Sequence, residues 1–406
     1  MPVMRRLCTI VAAISIAALS GCVTPPPVPP KPVAPPPVAE KTAPHQLVQD
    51  EPYFLRLANM AKDKTPLRIG VILPTSNASP ATRALANAMM KAAELALYDS
   101  GSRDIVLMTA DDSAKPAEAA EAARKLLAQG AEVLIGPLFA GSVAAVAPVA
   151  RDRGVPVIAF STDRSVAGDG VYLLSFQPET EVHRVVAYAA SQGRKNFAAL
   201  IPTTAYGKVS ENAFREAVAA NGGTIAAVEH FSSTANLSDQ ASAIARSAPD
   251  AVFIPQGGAP LRTIAATLKT NGVDTANIKL LGTGLWDDLA IAKEDSLRDS
   301  WLAAPAPNAD RSFVVKYRDA FGSAPPPLAA LAYDAVSLAA LIGEGPAYHR
   351  FTQANLTDPN GFTGVDGIFR FRDNGAIERG LSVLAVRPGG FEVVSPAPST
   401  FEHKGS

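Results

Sequence analysis

From Leu67 onward, short apolar runs alternate with longer stretches of helical period, and that alternation leaves few folds open. Residues 67–73 read as a buried strand and residues 74–80 as a loop. Residues 81–98 read as a helix carrying Leu85, Met89, Ala92 and Ala96 at helical spacing. A second strand follows at 105–109, with Asp111 and Asp112 at its C-terminal end. The next helix, 116–129, is opened by Pro116 and stopped by Gly130. Further strands fall at 133–135, 155–160 and 172–176. Strand and helix in strict turn predict an α/β fold whose parallel strands are wound on both faces.

The pattern then begins again, with helices at 180–191, 210–221 and 259–271 and strands at 197–201, 224–230, 250–254 and 279–281. Two domains of one architecture are therefore expected. Helices at 313–321 and 328–341 lack strands of their own, which suggests that the chain crosses back to complete the first domain. The expected division is 66–172 with about 308–345 for the first domain and 173–307 with about 346–395 for the second. Residues 396–406 form a tail. Near the end, residues 367–371 and 381–386 read as an antiparallel hairpin closed by a tight Asn374-Gly375 turn.

The start of the chain is different in kind. After Arg5 and Arg6, an apolar stretch ends in Leu19-Ser20-Gly21-Cys22, which resembles the lipobox of a bacterial lipoprotein signal. It is shorter than the roughly 20 residues of a spanning helix. Residues 1–21 are thus expected to be removed and Cys22 to carry lipid, which places the protein on the periplasmic side of the envelope, with the outer membrane favoured over the inner. Removal takes Cys8, Arg5 and Arg6 with it and moves the formal charge from −1 to −3. No thiol then remains for a disulfide, a metal or a nucleophile. Residues 22–50 read as the lipidated Cys and a proline-rich linker, extended where its prolines fix φ.

The near-neutral surface, with no basic run, argues against a nucleic-acid partner. Catalytic signatures are also wanting. His45, His183, His230, His349 and His403 are isolated, Gly282-Thr283-Gly284 lacks the third glycine of a dinucleotide loop, and no Walker-type loop or Gly-x-Ser-x-Gly elbow occurs. Neither enzyme activity nor a cofactor or metal is expected. Helix capping is the simplest reading of Asp111 and Asp112, because neighbours in an extended segment face opposite sides.

Several strings stand in the order found in type I periplasmic binding proteins, in particular the leucine, isoleucine and valine receptors. They include residues 131–137 with Ser142, 154–158, Ala205-Tyr206-Gly207, 248–252, 333–336 and Gly364-Val365-Asp366-Gly367. This resemblance spans about 67–394 and implies two doubly wound α/β domains joined by crossovers around a ligand cleft. Within it, residues 160–168 followed by 171–174 resemble a lipoprotein branch, the penicillin-binding protein activators. That branch implies regulation of peptidoglycan synthesis through contact with a penicillin-binding protein. The alternative is an amino-acid receptor of branched-chain type serving an ABC transporter.

In such a sheet a ligand sits beyond the C-terminal ends of the strands, where helix N-termini offer N–H groups. Ser142, Ser161, Thr162 and Asp163 are the candidates from the first domain; small hydroxyls there bind a carboxylate or cap a helix, and both roles stay open. Tyr206, Gln256 and Trp286 are the candidates from the second, with packing against the hinge the other reading for the two aromatics. The resemblance also implies an acid for the ligand ammonium, and here the sequence departs from the pattern. Pro178 and Gly284 stand at the expected positions, with Glu179 and Asp287 as nearby substitutes.

Overall fold

A computed structural model describes residues 47–51, 53–58, 65–307, 311–347 and 349–401. The signal, Cys22, most of the linker and residues 402–406 lie outside the described residues. The first lobe runs β1 (Leu47–Glu51), β2 (Phe54–Leu57), β3 (Leu67–Leu73), α1 (Pro80–Ser100), β4 (Ile105–Asp111), α2 (Pro116–Ala128), β5 (Val133–Ile135), α3 (Ala140–Arg151), β6 (Val157–Ala159) and β7 (Val171–Leu173). Its sheet has the order β1-β2-β4-β3-β5-β6-β7. The five inner strands are parallel, and β1 and β2 are antiparallel additions on the β4 edge. From Ile69 to Leu73, strand β3 is apolar on both sides because helices cover both faces.

The second lobe continues with α4 (Pro178–Ser191), β8 (Asn196–Pro202), α5 (Ala205–Ala220), β9 (Thr224–Phe231), α6 (Ser238–Arg246), β10 (Ala251–Phe253), α7 (Gly258–Thr270), β11 (Lys279–Gly282) and β12 (Trp301–Ala304). The chain returns to the first lobe through α8 (Arg311–Phe321), α9 (Ala329–Ile342) and α10 (Gln353–Leu356). A small sheet follows, β13 (Phe362–Gly364), β14 (Gly367–Phe371) and β15 (Ile377–Arg379). Then β16 (Ser382–Arg387) and β17 (Gly390–Ser395) cross over once more and close the second sheet, whose order is β17-β16-β12-β11-β10-β8-β9. The lobes are thus joined by three crossovers, after β7, β12 and β15.

The predicted alternation of strand and helix is present, and four details differ from the sequence reading. The linker stops short of residue 50, because Leu47, Gln49 and Glu51 pair with Leu57, Leu55 and Phe54. Residues 140–151, rich in small residues and interrupted by Pro148, form a helix that their weak periodicity hides. Strand β14 pairs with β15, not with residues 381–386: the turn at 373–375 sets Phe371 opposite Ile377, while β16 pairs with β12 in the other sheet. Residues 346–379, expected with the second domain, contribute Leu356, Val365, Phe369, Phe371 and Ile377 to the core of the first. Phe371 lies 5.4 Å from Tyr172, which explains that allegiance.

Gly375 ties the small sheet to the first lobe, since its carbonyl accepts the Leu173 N–H at 2.9 Å. Its φ is +74° and a Cβ would overlap the Val171 carbonyl, so only glycine fits without strain. Gly375→Ala is expected to cost about 2–3 kcal/mol, read as a lower midpoint in thermal unfolding.

Candidate ligand cleft

The site is built where β3, β5, β6 and β7 end. An open cavity of about 540 Å³ lies there, walled by Leu85, Leu138, Phe160, Phe176 and Leu331 and edged by Ser161, Thr162 and Asp163. Helix α3 begins at this rim. Its N-cap, Phe139, has extended backbone and offers no side-chain acceptor, so no side chain caps the first-turn N–H groups. The partial positive charge of a helix start is therefore available to an anion. Another cavity, about 660 Å³ and more polar, lies at the opposite strand ends beside Asp99, Asp104 and Glu344. It lacks a helix N-terminus and is not the cleft.

Ser161 is buried, and its Oγ accepts the Asp163 N–H at 3.1 Å. That bond leaves the Ser161 hydroxyl proton to donate. Thr162 and Asp163 are exposed at the rim. Asp163 caps the short 3₁₀ turn Arg164–Val166, accepting the Ser165 N–H at 2.9 Å. The Ser165 hydroxyl, then its N–H, hold the carboxyl below its ordinary range, so Asp163 stays charged. Among the residues lining the cavity it is the single acid.

Ser142, expected in the same group, is only 1% exposed and does not line the cavity. It sits inside the first turn of α3, with its hydroxyl toward the Asp112 carboxyl. Burial pushes that carboxyl up, while Ser142 and the Ala114 N–H at 3.2 Å hold it down. The capping expected of Asp111 and Asp112 is also absent at α2, whose N-cap, Lys115, has no side-chain cap bond. Asp111 instead accepts from Ser76 and Ser113.

The second-lobe candidates do not reach this cavity. Trp286 is fully buried, with its Nε1 donating to the carbonyls of Ile254 at 3.2 Å and Gln256 at 2.9 Å. Its ring occupies the space left by the missing side chain of Gly282, so it is a core residue and not a ligand contact. Gln256 turns its Nε2 onto the Gly257 carbonyl at 3.3 Å. Tyr206, in the first turn of α5, donates to Thr283 Oγ1 at 2.9 Å. Burial, then the Glu181 charge, raise its phenol above the ordinary range.

The acid beside Gly284 is Glu181, which does not line the cavity. Neither Glu179, which pairs with Arg164 at 3.6 Å, nor Asp287 takes the place beside Gly284. Glu181 Oε2 accepts the Gly284 N–H at 3.1 Å, and Oε1 fills the space a side chain at 284 would use. Burial pushes this carboxyl up to about 7, against the lowering effects of the Gly284 N–H and of Arg379. A signal for it exists in the sequence. The buried stripe of α4 runs Glu181, Val182, Val185, Val186, Ala189, so helical periodicity alone puts a glutamate among core residues.

Two lobes of doubly wound sheet, joined by three crossovers and offering a helix start at the strand ends, define a bilobed ligand-binding protein. The sequence profile of the periplasmic binding protein family matches residues 66–390, and the chain belongs to that family. Solved structures agree on the fold. A Rhodospirillum rubrum protein provisionally described as a branched-chain amino acid ABC transporter has a TM-score of 0.73 at 21% identity, covering 81% of this chain and all of its own. A Desulfitobacterium hafniense ABC transporter substrate-binding protein in complex with Leu gives 0.62 at 22%, covering 81% and 100%. A Rhodopseudomonas palustris solute-binding protein in complex with benzoate gives 0.58 at 20%, covering 84% and 98%. No curated protein sequence matches the chain. Family membership implies a periplasmic location, and the Desulfitobacterium and Rhodopseudomonas proteins are described as substrate- and solute-binding proteins.

Proposed function

We propose that the protein is a receptor for a small apolar amino acid, serving an ABC transporter from a lipid anchor at Cys22. The carrying observation is the pairing, in one apolar cavity, of an uncapped helix start with the hydroxyls of Ser161 and Thr162 and the charged Asp163. A ligand carboxylate fits the α3 N-terminus, an ammonium needs a counter-charge such as Asp163, and an aliphatic side chain suits the walls. Structural relatives that hold Leu or isoleucine support this class of ligand.

Calorimetric titration with leucine and with 4-methylpentanoate, its analogue without the amino group, tests the reading. Saturable binding of leucine is expected. Ser161→Ala and Thr162→Ala should each weaken it roughly 5–10-fold, the worth of one hydrogen bond. Asp163→Asn should weaken leucine binding and leave 4-methylpentanoate unaffected. Unchanged affinity in both hydroxyl variants overturns the site.

The alternative role, a penicillin-binding protein activator regulating peptidoglycan synthesis, is favoured by one observation: the Tyr206 hydroxyl and Glu181 Oε2 are bonded within the second lobe and do not face the cavity. A regulator needs no ligand to bring them out. Absence of any thermal shift across the amino acids, together with co-purification of a peptidoglycan synthase, would establish that role instead. Both roles use a lipid anchor on the periplasmic side of the envelope, and release of the protein from the membrane fraction on Cys22→Ala checks that anchor.

A further inference from the structure

Arg379 closes β15 immediately before the third crossover. It is 5% exposed, its Nε donates to the Ser175 carbonyl on the first crossover at 3.0 Å, and the guanidinium lies over Phe176 at 4.5 Å and Phe369 at 5.5 Å. Both terminal nitrogens are buried without a hydrogen-bond partner among the described residues. That is a costly state for a cation, because buried donors left unmade forfeit their solvation. Three carboxylates act on its charge: Asp334 of α9, Asp366 of the β13–β14 turn and Glu181 of α4.

Their positions differ in consequence. Asp334 and Asp366 belong to the same lobe as Arg379, and Asp334 Oδ1 already accepts the Val365 N–H at 2.8 Å. Glu181 belongs to the second lobe, in the first turn after the first crossover, where its Oε2 is held by Gly284. A rotation of the lobes about the crossovers moves Glu181 relative to Arg379 and leaves the other two acids where they are. We propose that Arg379 and Glu181 are the two halves of an interlobe latch, whose ion pair forms as the lobes close and releases as they open. The pair is a positioning device for closure and rests on the reading of the protein as one that closes on a ligand.

The groups around the latch fix the sign of its pH dependence. Glu181 accepts the Gly284 N–H, feels the charge of Arg379 and acts on the Tyr206 phenol, which is itself bonded to Thr283; Glu179 on the same helix pairs with Arg164. Asp366 faces Arg379 and, across the lobe boundary, Asp287. Pairing with Arg379 favours the ionised form of Glu181, so closure releases a proton and is favoured as pH rises.

The test measures the interlobe distance by pulsed electron resonance in the ligand-free full chain, with Cys8 and Cys22 replaced by serine and labels at Ala128→Cys and Lys269→Cys. Raising the pH from 6 to 8 should shift the closed-to-open ratio roughly tenfold toward closed. Glu181→Gln keeps an acceptor for Gly284 and should hold the lobes open at both pH values, as should Arg379→Gln. Thermal unfolding establishes that each variant is folded, and Glu181→Gln alone carries the test should Arg379→Gln fail to fold. A distance distribution that ignores pH, or a pH response that survives Glu181→Gln, overturns the latch. Because no ligand is present, that outcome is separate from any failure of leucine binding.

Discussion

Replacing Trp286 by alanine should lower the unfolding free energy by about 3–5 kcal/mol, read from urea unfolding at constant m-value. The ring is fully buried against Leu261, Ile291, Leu302 and their neighbours in the second-lobe core, so truncation leaves a cavity that the β10–β11 framework cannot collapse into. It also takes away the N–H that serves the Ile254 and Gln256 carbonyls. Trp286→Phe keeps most of the volume and should cost less than half as much. Near-native stability in the alanine variant, accompanied by a loss of ligand affinity, would return Trp286 to the cleft.

Glu181 should make the protein less stable as pH rises. Its carboxyl titrates near 7 in the folded state, against an ordinary value of 4.5 once unfolded. The folded state therefore holds the proton more tightly. The group's favourable contribution is complete below 4.5, is lost as pH rises through 7, and amounts to about 3 kcal/mol at roughly 1.4 kcal/mol per pH unit of separation. Asp111, Asp163, Glu211 and Asp250, which hydrogen bonds hold below their ordinary range, act in the opposite sense and protect the fold above pH 4. Glu181→Gln isolates the one term. The stability difference between this variant and the parent should move toward the variant by about 3 kcal/mol between pH 4 and pH 8. A constant difference across that range would place Glu181 in contact with water.

The fold was legible because parallel strands covered on both faces must be apolar along their buried length, as Ile69–Leu73 is, and because proline and glycine mark the ends of helices such as Pro116–Ala128. Strand β1, Leu-Val-Gln-Asp-Glu, carries no such run, because an edge strand has one flank in water. Three-residue strands such as β15 are too short for alternation to reveal which sheet they join. In the site, Ser161, Thr162 and Asp163 follow an apolar run directly, and the structure brings them together at the cavity. Ser142 and Trp286 also follow strands closely. Distance along the chain does not tell which way a helix or a 3₁₀ turn will rotate the side chain, and both are turned inward. Glu181 and Arg379 are charged residues at buried positions, and for Arg379 the sign in the sequence is that it shares one face of β15 with the buried Ile377.

The hairpin of β1 and β2 bears on how the molecule carries mechanical load. Leu47, the first residue of β1, lies beside Leu57, the last of β2, near the N-terminal end of β4 and away from the cleft, and β1 is the outermost strand of its sheet. A pull transmitted through Leu47 meets the β1–β2 ladder at its end and peels the rungs one after another, a far weaker arrangement than shearing them together. Peeling β1 would add about 17 Å to the tether proposed between Cys22 and the first lobe, at roughly 3.3 Å per residue. Strand β2 would still cover the edge of β4. If the lipid anchor proposed at Cys22 is pulled, the hairpin would yield first, and the pairing of β3 to β7 would be kept.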